Sequence, residues 1–97
     1  MPGGVKVSRS NTVFIGRKPV LNYVLACMTL FKSGQDEVLV KARGRSISTA
    51  VDVVEVMRNR FMPDVKVDGI NIGTEQLTSQ DRSQPTNVST IEIKLHR

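Results

Sequence analysis

The sequence predicts an α/β fold in the order β-α-β-α-β-β: a mixed four-stranded sheet, two helices packed on one face, and a long protruding β-hairpin. Three observations carry this. Two apolar stripes recur at helical spacing, each preceded by a short β-branched run. Beyond residue 64 the apolar period drops to two. The last two strands then run from about Val65 to Leu95, far longer than body strands of ~5 residues can pair with.

Residues 1–10 have no periodicity and read as a flexible basic N-terminal arm, leaving 11–97 as a single domain. Thr12-Val-Phe-Ile15, ended by Gly16, reads as the first strand. Pro19 suits the first turn of a helix, where its missing N–H is not needed. The helix stripe is Val20, Leu21, Val24, Leu25, Met28 and Phe31, and Ser33-Gly34 supplies the stop. Glu37 to Ala42 is the second strand. After the basic turn Arg43-Gly44-Arg45, Ser46 is the expected cap of a second helix. Its stripe is Ile47, Ala50, Val51, Val54, Met57 and Phe61, and Met62-Pro63-Asp64 ends it.

In the period-two region Val65 and Val67 share one phase, and Ile70 and Ile72 the other. Gly69 at the slip predicts a β-bulge. Gly73 to Gln80 is polar except for Leu77, so neither face covers a core. Ile91, Ile93 and Leu95 alternate with Glu92 and Lys94 as the final strand. The last two strands pair without a crossover, and a hairpin that outruns its sheet and is polar there projects into solvent.

The 97 residues are 39% hydrophobic and 24% charged, an ordinary globular composition. No apolar run reaches the roughly 18 residues of a membrane span, and no secretion signal is visible, so a soluble intracellular protein is expected. The lone Cys27, flanked by Leu25, Ala26 and Met28, reads as a buried thiol. Net charge is +5, unevenly spread. Residues 1–48 carry eight basic side chains against two acidic ones, and residues 49–97 six against seven. The excess in one half is the footprint expected of a protein that meets a polyanion.

No catalytic constellation emerges. His96, the only histidine, has no ligand-spaced partner, so no metal is expected. There is no phosphate-binding glycine motif, and the carboxylates are scattered. Neither enzyme activity nor a cofactor, small-molecule substrate or membrane is expected. Binding candidates are clearer. Arg17 and Lys18 lie in the turn into the first helix, and Lys41, Arg43 and Arg45 surround the turn into the second. Parallel strands send both turns off the same sheet edge, so these charges converge. Gly16 and Gly44 would let backbone N–H groups approach a phosphate. Asn22 offers a hydrogen bond to phosphate or sugar; Tyr23 suits either that role or the edge of the core. With one tyrosine and no tryptophan, the composition favours a duplex over a stacked single strand.

Five stretches together resemble the Alba family, small archaeal chromatin proteins whose relatives also bind RNA. They are Ile15-Gly-Arg-Lys-Pro19 with Asn22-Tyr23, Lys41-Ala-Arg-Gly-Arg45, Arg58-Asn-Arg-Phe61, Thr78-Ser-Gln80 and Val88-Ser-Thr-Ile-Glu-Ile93. The resemblance runs from about Asn11 to Lys94. It implies a fold like the C-terminal domain of the third bacterial initiation factor. It also implies a homodimer that binds double-stranded DNA without sequence preference, on the chromosome in the cytoplasm. RNA is implied as a further ligand; an RNA chaperone or ribonucleoprotein subunit is the alternative principal role. Carried over, Arg17, Lys18, Asn22, Tyr23, Lys41, Arg43 and Arg45 are body contacts, and about Gly73–Asn87 is an arm in the minor groove, with Arg82 its basic residue. Phe61 becomes a dimer–dimer contact, although periodicity files it as core. Two departures stand out. A turn lysine associated with acetylation in the family is here Arg17, which leaves such a modification to Lys18. The arm position before Val88, often arginine, is Asn87, and Pro85 stands at the tip.

Overall fold

The computed structural model describes residues 5, 7–8, 11–77 and 86–97. Chain order is β1 (Val7–Ser8), β2 (Thr12–Phe14), α1 (Val20–Lys32), β3 (Glu37–Arg43), α2 (Ser46–Val56), a widened helical turn (Met57–Phe61), β4 (Lys66–Leu77) and β5 (Thr86–His96). The four expected strands and two helices are all present. In the segment read as a loose arm, Val5 is buried and β1 pairs antiparallel with β2; the rest of that segment lies outside the described residues.

The sheet order is β1-β2-β3-β5-β4. β2 runs parallel to β3, with Phe14 level with Lys41. β5 lies antiparallel between β3 and β4. Both helices pack on one face, against each other and against β3. Under them lies a single core in which Val13, Val24, Cys27, Val38, Val40, Val53, Met57 and Leu95 are fully buried. Burial pushes the Cys27 thiol up to about 12, so it stays protonated and packs as a small apolar side chain. The bulge expected at Gly69 is there: the ladder steps from Val67↔Leu95 to Gly69↔Lys94, leaving Asp68 as the extra residue.

The helices face the core in a phase different from the expected stripes. On α1 the buried residues are Tyr23, Val24, Ala26, Cys27, Leu30 and Phe31. Leu21 and Leu25 are half exposed, at 53% and 50%. The apolar arc of α1 is wider than the arc the sheet covers, and its centre lies nearer Cys27 than the leucines. On α2 the buried residues are Ala50, Val53 and Val54, while Val51 is exposed. Past Val56 the turn widens, and the Met62 N–H donates to the Met57 carbonyl over 2.7 Å. A turn closed five residues on holds more residues than an α-turn. Met62 therefore returns to the core in place of Phe61: Met62 is 5% exposed and Phe61 47%. The core assignment that periodicity makes for Phe61 is corrected by that widened turn.

Truncating Met57 to alanine leaves a cavity beneath α2, and a loss of about 2–5 kcal/mol is expected in urea unfolding. A change below 1 kcal/mol would mean that the widened turn collapses to fill the space.

Candidate nucleic-acid interface

Three features leave the sheet at one end. The parallel pairing of β2 with β3 carries the turn Gly16–Pro19 and the turn around Gly44 off the same edge. The β4–β5 hairpin continues in that direction: β3 ends at Arg43, level with Thr90, while the hairpin ladder runs four rungs further to Leu77↔Thr86. Gly73–Leu77 and Thr86–Asn87 are exposed there. Arg82 and residues 78–85 lie outside the described residues.

The first turn is held from within. Ile15 donates to the Lys41 carbonyl over 2.9 Å, extending the β2–β3 ladder by one residue. The Tyr23 hydroxyl, one turn into α1, then accepts from the Gly16 N–H at 2.8 Å and from the Lys18 N–H at 3.0 Å. A Cβ on Gly16 would stand 3.3 Å from that hydroxyl, so the close approach suits glycine. Tyr23 is 2% exposed. Of its two sequence readings the structure supports the core one: its ring is packed inside and its oxygen is occupied. The tyrosine sets where Arg17 and Lys18 stand rather than offering a surface itself. Arg17, Lys18 and Pro19 are exposed, and Asn22 is half-buried with its N–H bonded to the Pro19 carbonyl at 3.0 Å.

The second turn is held by the hairpin. Gly44 adopts φ +58, a conformation that L side chains rarely take, and its N–H donates to the Ser89 carbonyl at 2.8 Å. Neither Gly16 nor Gly44 therefore keeps a free amide for a phosphate, contrary to the sequence expectation; both N–H groups serve to brace the turns. Ser46 is also not the cap: Arg45 occupies the N-cap position, and α2 starts without a side-chain cap bond. Nor does α1, after Pro19, have one, and neither helix carries an acid in its first turn.

The basic residues divide into two groups. Arg17, Lys18 and Arg45 are exposed in the turns, and among the described residues no carboxylate pairs with them. Lys41 and Arg43 lie within β3, on the sheet face opposite the helices, because they alternate with the buried Val38, Val40 and Ala42. There Lys41 Nζ is 4.0 Å from Glu92 and Arg43 Nη1 is 2.5 Å from Glu75. Such exposed pairs contribute about 0–1 kcal/mol each and exchange readily. Sequence spacing did not reveal the pairing, because Glu75 and Glu92 arrive from distant strands.

Three exposed apolar side chains lie away from the turns' own residues, one on α2 and two on the edge strand β4. Val51 on α2 and Ile70 and Ile72 on β4 are 45%, 57% and 82% exposed. Phe61 is also exposed, and its chain neighbours Asn59 and Arg60 help line a groove between the two helices. Among the described residues there is no cluster of three potential metal ligands, and no helix is long and apolar enough to cross a membrane.

The model of the Alba family matches residues 11–74. The chain belongs to the Alba family. It is 55% identical over 87 residues to the DNA/RNA-binding protein Alba of Methanocella arvoryzae, covering 90% of each chain. It is 59% identical over 85 residues to DNA/RNA-binding protein Alba 1 of Archaeoglobus fulgidus, covering 88% of this chain and 93% of that one. Among solved structures, Alba from Thermoplasma volcanium superposes with TM-score 0.83 at 46% identity, over 90% of this chain and all (100%) of the other. ALBA1 from Trypanosoma brucei gives TM-score 0.76 at 29% identity, over 94% of this chain and 72% of the other.

The double acceptor role of Tyr23 is open to test. Tyr23→Phe leaves two turn amides without their partner and is expected to cost about 1–3 kcal/mol in urea unfolding. Faster hydrogen exchange at the Gly16 and Lys18 amides should accompany it. Unchanged exchange at both would show that the hydroxyl does not hold the turn.

Proposed function

We propose that this Alba-family chain binds double-stranded DNA without sequence preference, as a homodimeric architectural protein of the archaeal chromosome in the cytoplasm, and takes RNA as a further ligand. One observation carries the reading: two braced basic turns and a projecting hairpin leave the sheet at the same end. Arg17, Lys18 and Arg45 are its phosphate contacts, with Asn22 beside them. Arg43 and Lys41 join by exchanging a carboxylate for a phosphate, and Tyr23 acts through the turn it braces. Duplex backbone demands positive charge and shape rather than base-reading side chains, which is what these turns supply. The arm, with Arg82, reaches along the groove.

The names of both relatives, DNA/RNA-binding protein Alba and Alba 1, support a nucleic-acid role and keep RNA beside DNA. RNA as the principal ligand is the second reading, and competition of equal lengths of duplex DNA and structured RNA for one probe separates the two. No catalytic step belongs to either.

Homodimerisation is supported by the exposed Val51 on α2 and by the exposed Ile70 and Ile72 on β4, a long edge strand that a monomer would leave open. Phe61, exposed rather than in the core, suits a contact between dimers.

Affinity for duplex DNA should fall steeply with salt. Lys18→Ala should lower the slope of log affinity against log salt by about one per contacting copy. Binding that ignores salt, or that prefers one DNA sequence strongly, would sink the proposal. For the dimer, Ile72→Asp should sediment as a monomer at concentrations where the parent chain sediments as a dimer; an unchanged sedimentation coefficient would remove Ile72 from the interface.

A further inference from the structure

The open face of the sheet carries a groove that the duplex contacts above do not account for. One rung, Phe14–Lys41–Glu92–Asn71, crosses β2, β3, β5 and β4 with its side chains directed away from the helices. The next rung on that face, Arg43–Thr90–Gly73, ends in a residue without a side chain, so the surface drops at β4. A Cβ at Gly73 would stand 3.2 Å from the Thr90 hydroxyl. The Arg43–Glu75 ion pair bridges the strands beyond this rung and closes the groove toward the arm. The resulting open cavity holds about 630 Å³. That lies within the range of small-ligand sites, ~300–1,000 Å³.

We propose that this groove receives a single unpaired nucleobase, one bulged or overhanging from a duplex held at the basic end. The inference rests on the duplex-binding reading and adds a site to it. Its two cations, Lys41 and Arg43, are balanced by Glu75 and Glu92 in the free chain, and the two carboxylates stay behind when the cations turn to the duplex, so the groove itself exerts no pull on a run of phosphates. A neutral, flat, polar ring suits it better. Phe14, 39% exposed, offers a ring face for stacking. Asn71 and Thr90 each donate and accept, and the Glu92 carboxylate accepts, which answers the mixed edge that an unstacked base presents. Arg43 sits at the junction with the basic turns, where the phosphate next to that base would lie. One exposed ring stacks one base. Tyr23 and Phe31 are buried, and Phe61 lies on the helical side, so the face is no platform for an extended single strand.

The test uses two DNA duplexes of equal length, one fully paired and one with a single bulged 2-aminopurine. The parent chain should bind the bulged duplex about tenfold more tightly, the order of one base–aromatic stack, and the 2-aminopurine fluorescence should change on binding. Phe14→Leu should abolish both the preference and the fluorescence change while leaving affinity for the paired duplex unaltered. Asn71→Ala, at an exposed position, should reduce the preference by itself. Equal affinity of the parent chain for the two duplexes, or a preference that survives Phe14→Leu, overturns the groove alone. Failure to bind even the paired duplex overturns the duplex-binding reading and this one with it.

Discussion

Two parallel strands cannot be joined by a tight turn, so the pairing of Thr12–Phe14 with Leu39–Lys41 makes α1 their crossover. Much follows from that register. It places the C-terminal ends of β2 and β3 side by side, and so sets the two basic turns at one end of the sheet. It stacks α1 over the β2–β3 pair, where Val24 and Cys27 meet Val13, Val38 and Val40 in the core. And because β5 pairs with β3 along its whole length, the hairpin points the same way. The charge cluster is thus a consequence of topology, from residues more than twenty positions apart.

Topology alone leaves the turns slack. Their rigidity comes from amides that are satisfied inside the protein: Gly16 and Lys18 on the Tyr23 hydroxyl, Gly44 on the Ser89 carbonyl. A loop ordered before its ligand arrives loses less conformational freedom on binding. The proposed interface is accordingly built from charged tips on fixed backbone, with the recognition left to side chains.

Elements that depend on local pattern were legible in the sequence. Periodicity found both helices, four of the five described strands and the slip at Gly69, and the switch to a polar hairpin announced the projection; β1, in a segment without periodicity, gave no such signal. What was hidden depended on which part of an apolar arc the sheet covers, or on partners far along the chain. Leu21 and Leu25 matched a helical stripe and still face out, because the covered arc centres on Cys27. Phe61 was misfiled by periodicity because a widened turn adds a residue that no 3.6-residue wheel contains. The site was half readable. Arg17, Lys18 and Arg45 stand where the spacing put them. Lys41 and Arg43 belong to a strand face instead, and the alternation Val38-Leu39-Val40-Lys41-Ala42-Arg43 carried that signal. Tyr23 could be resolved only by seeing its hydroxyl among the turn amides.

The single hydrogen bond from Gly44 to Ser89 has a mechanical side. It fastens the head of α2 to the root of the hairpin, just where the hairpin loses the support of β3. Held by that backbone bond, with the Gly44 N–H 2.8 Å from the Ser89 carbonyl, the root is a fastened joint instead of a free pivot. A load on the outer hairpin is passed as leverage into the turn that carries Arg45. The protruding strands and the second basic turn therefore behave as one stiff bracket.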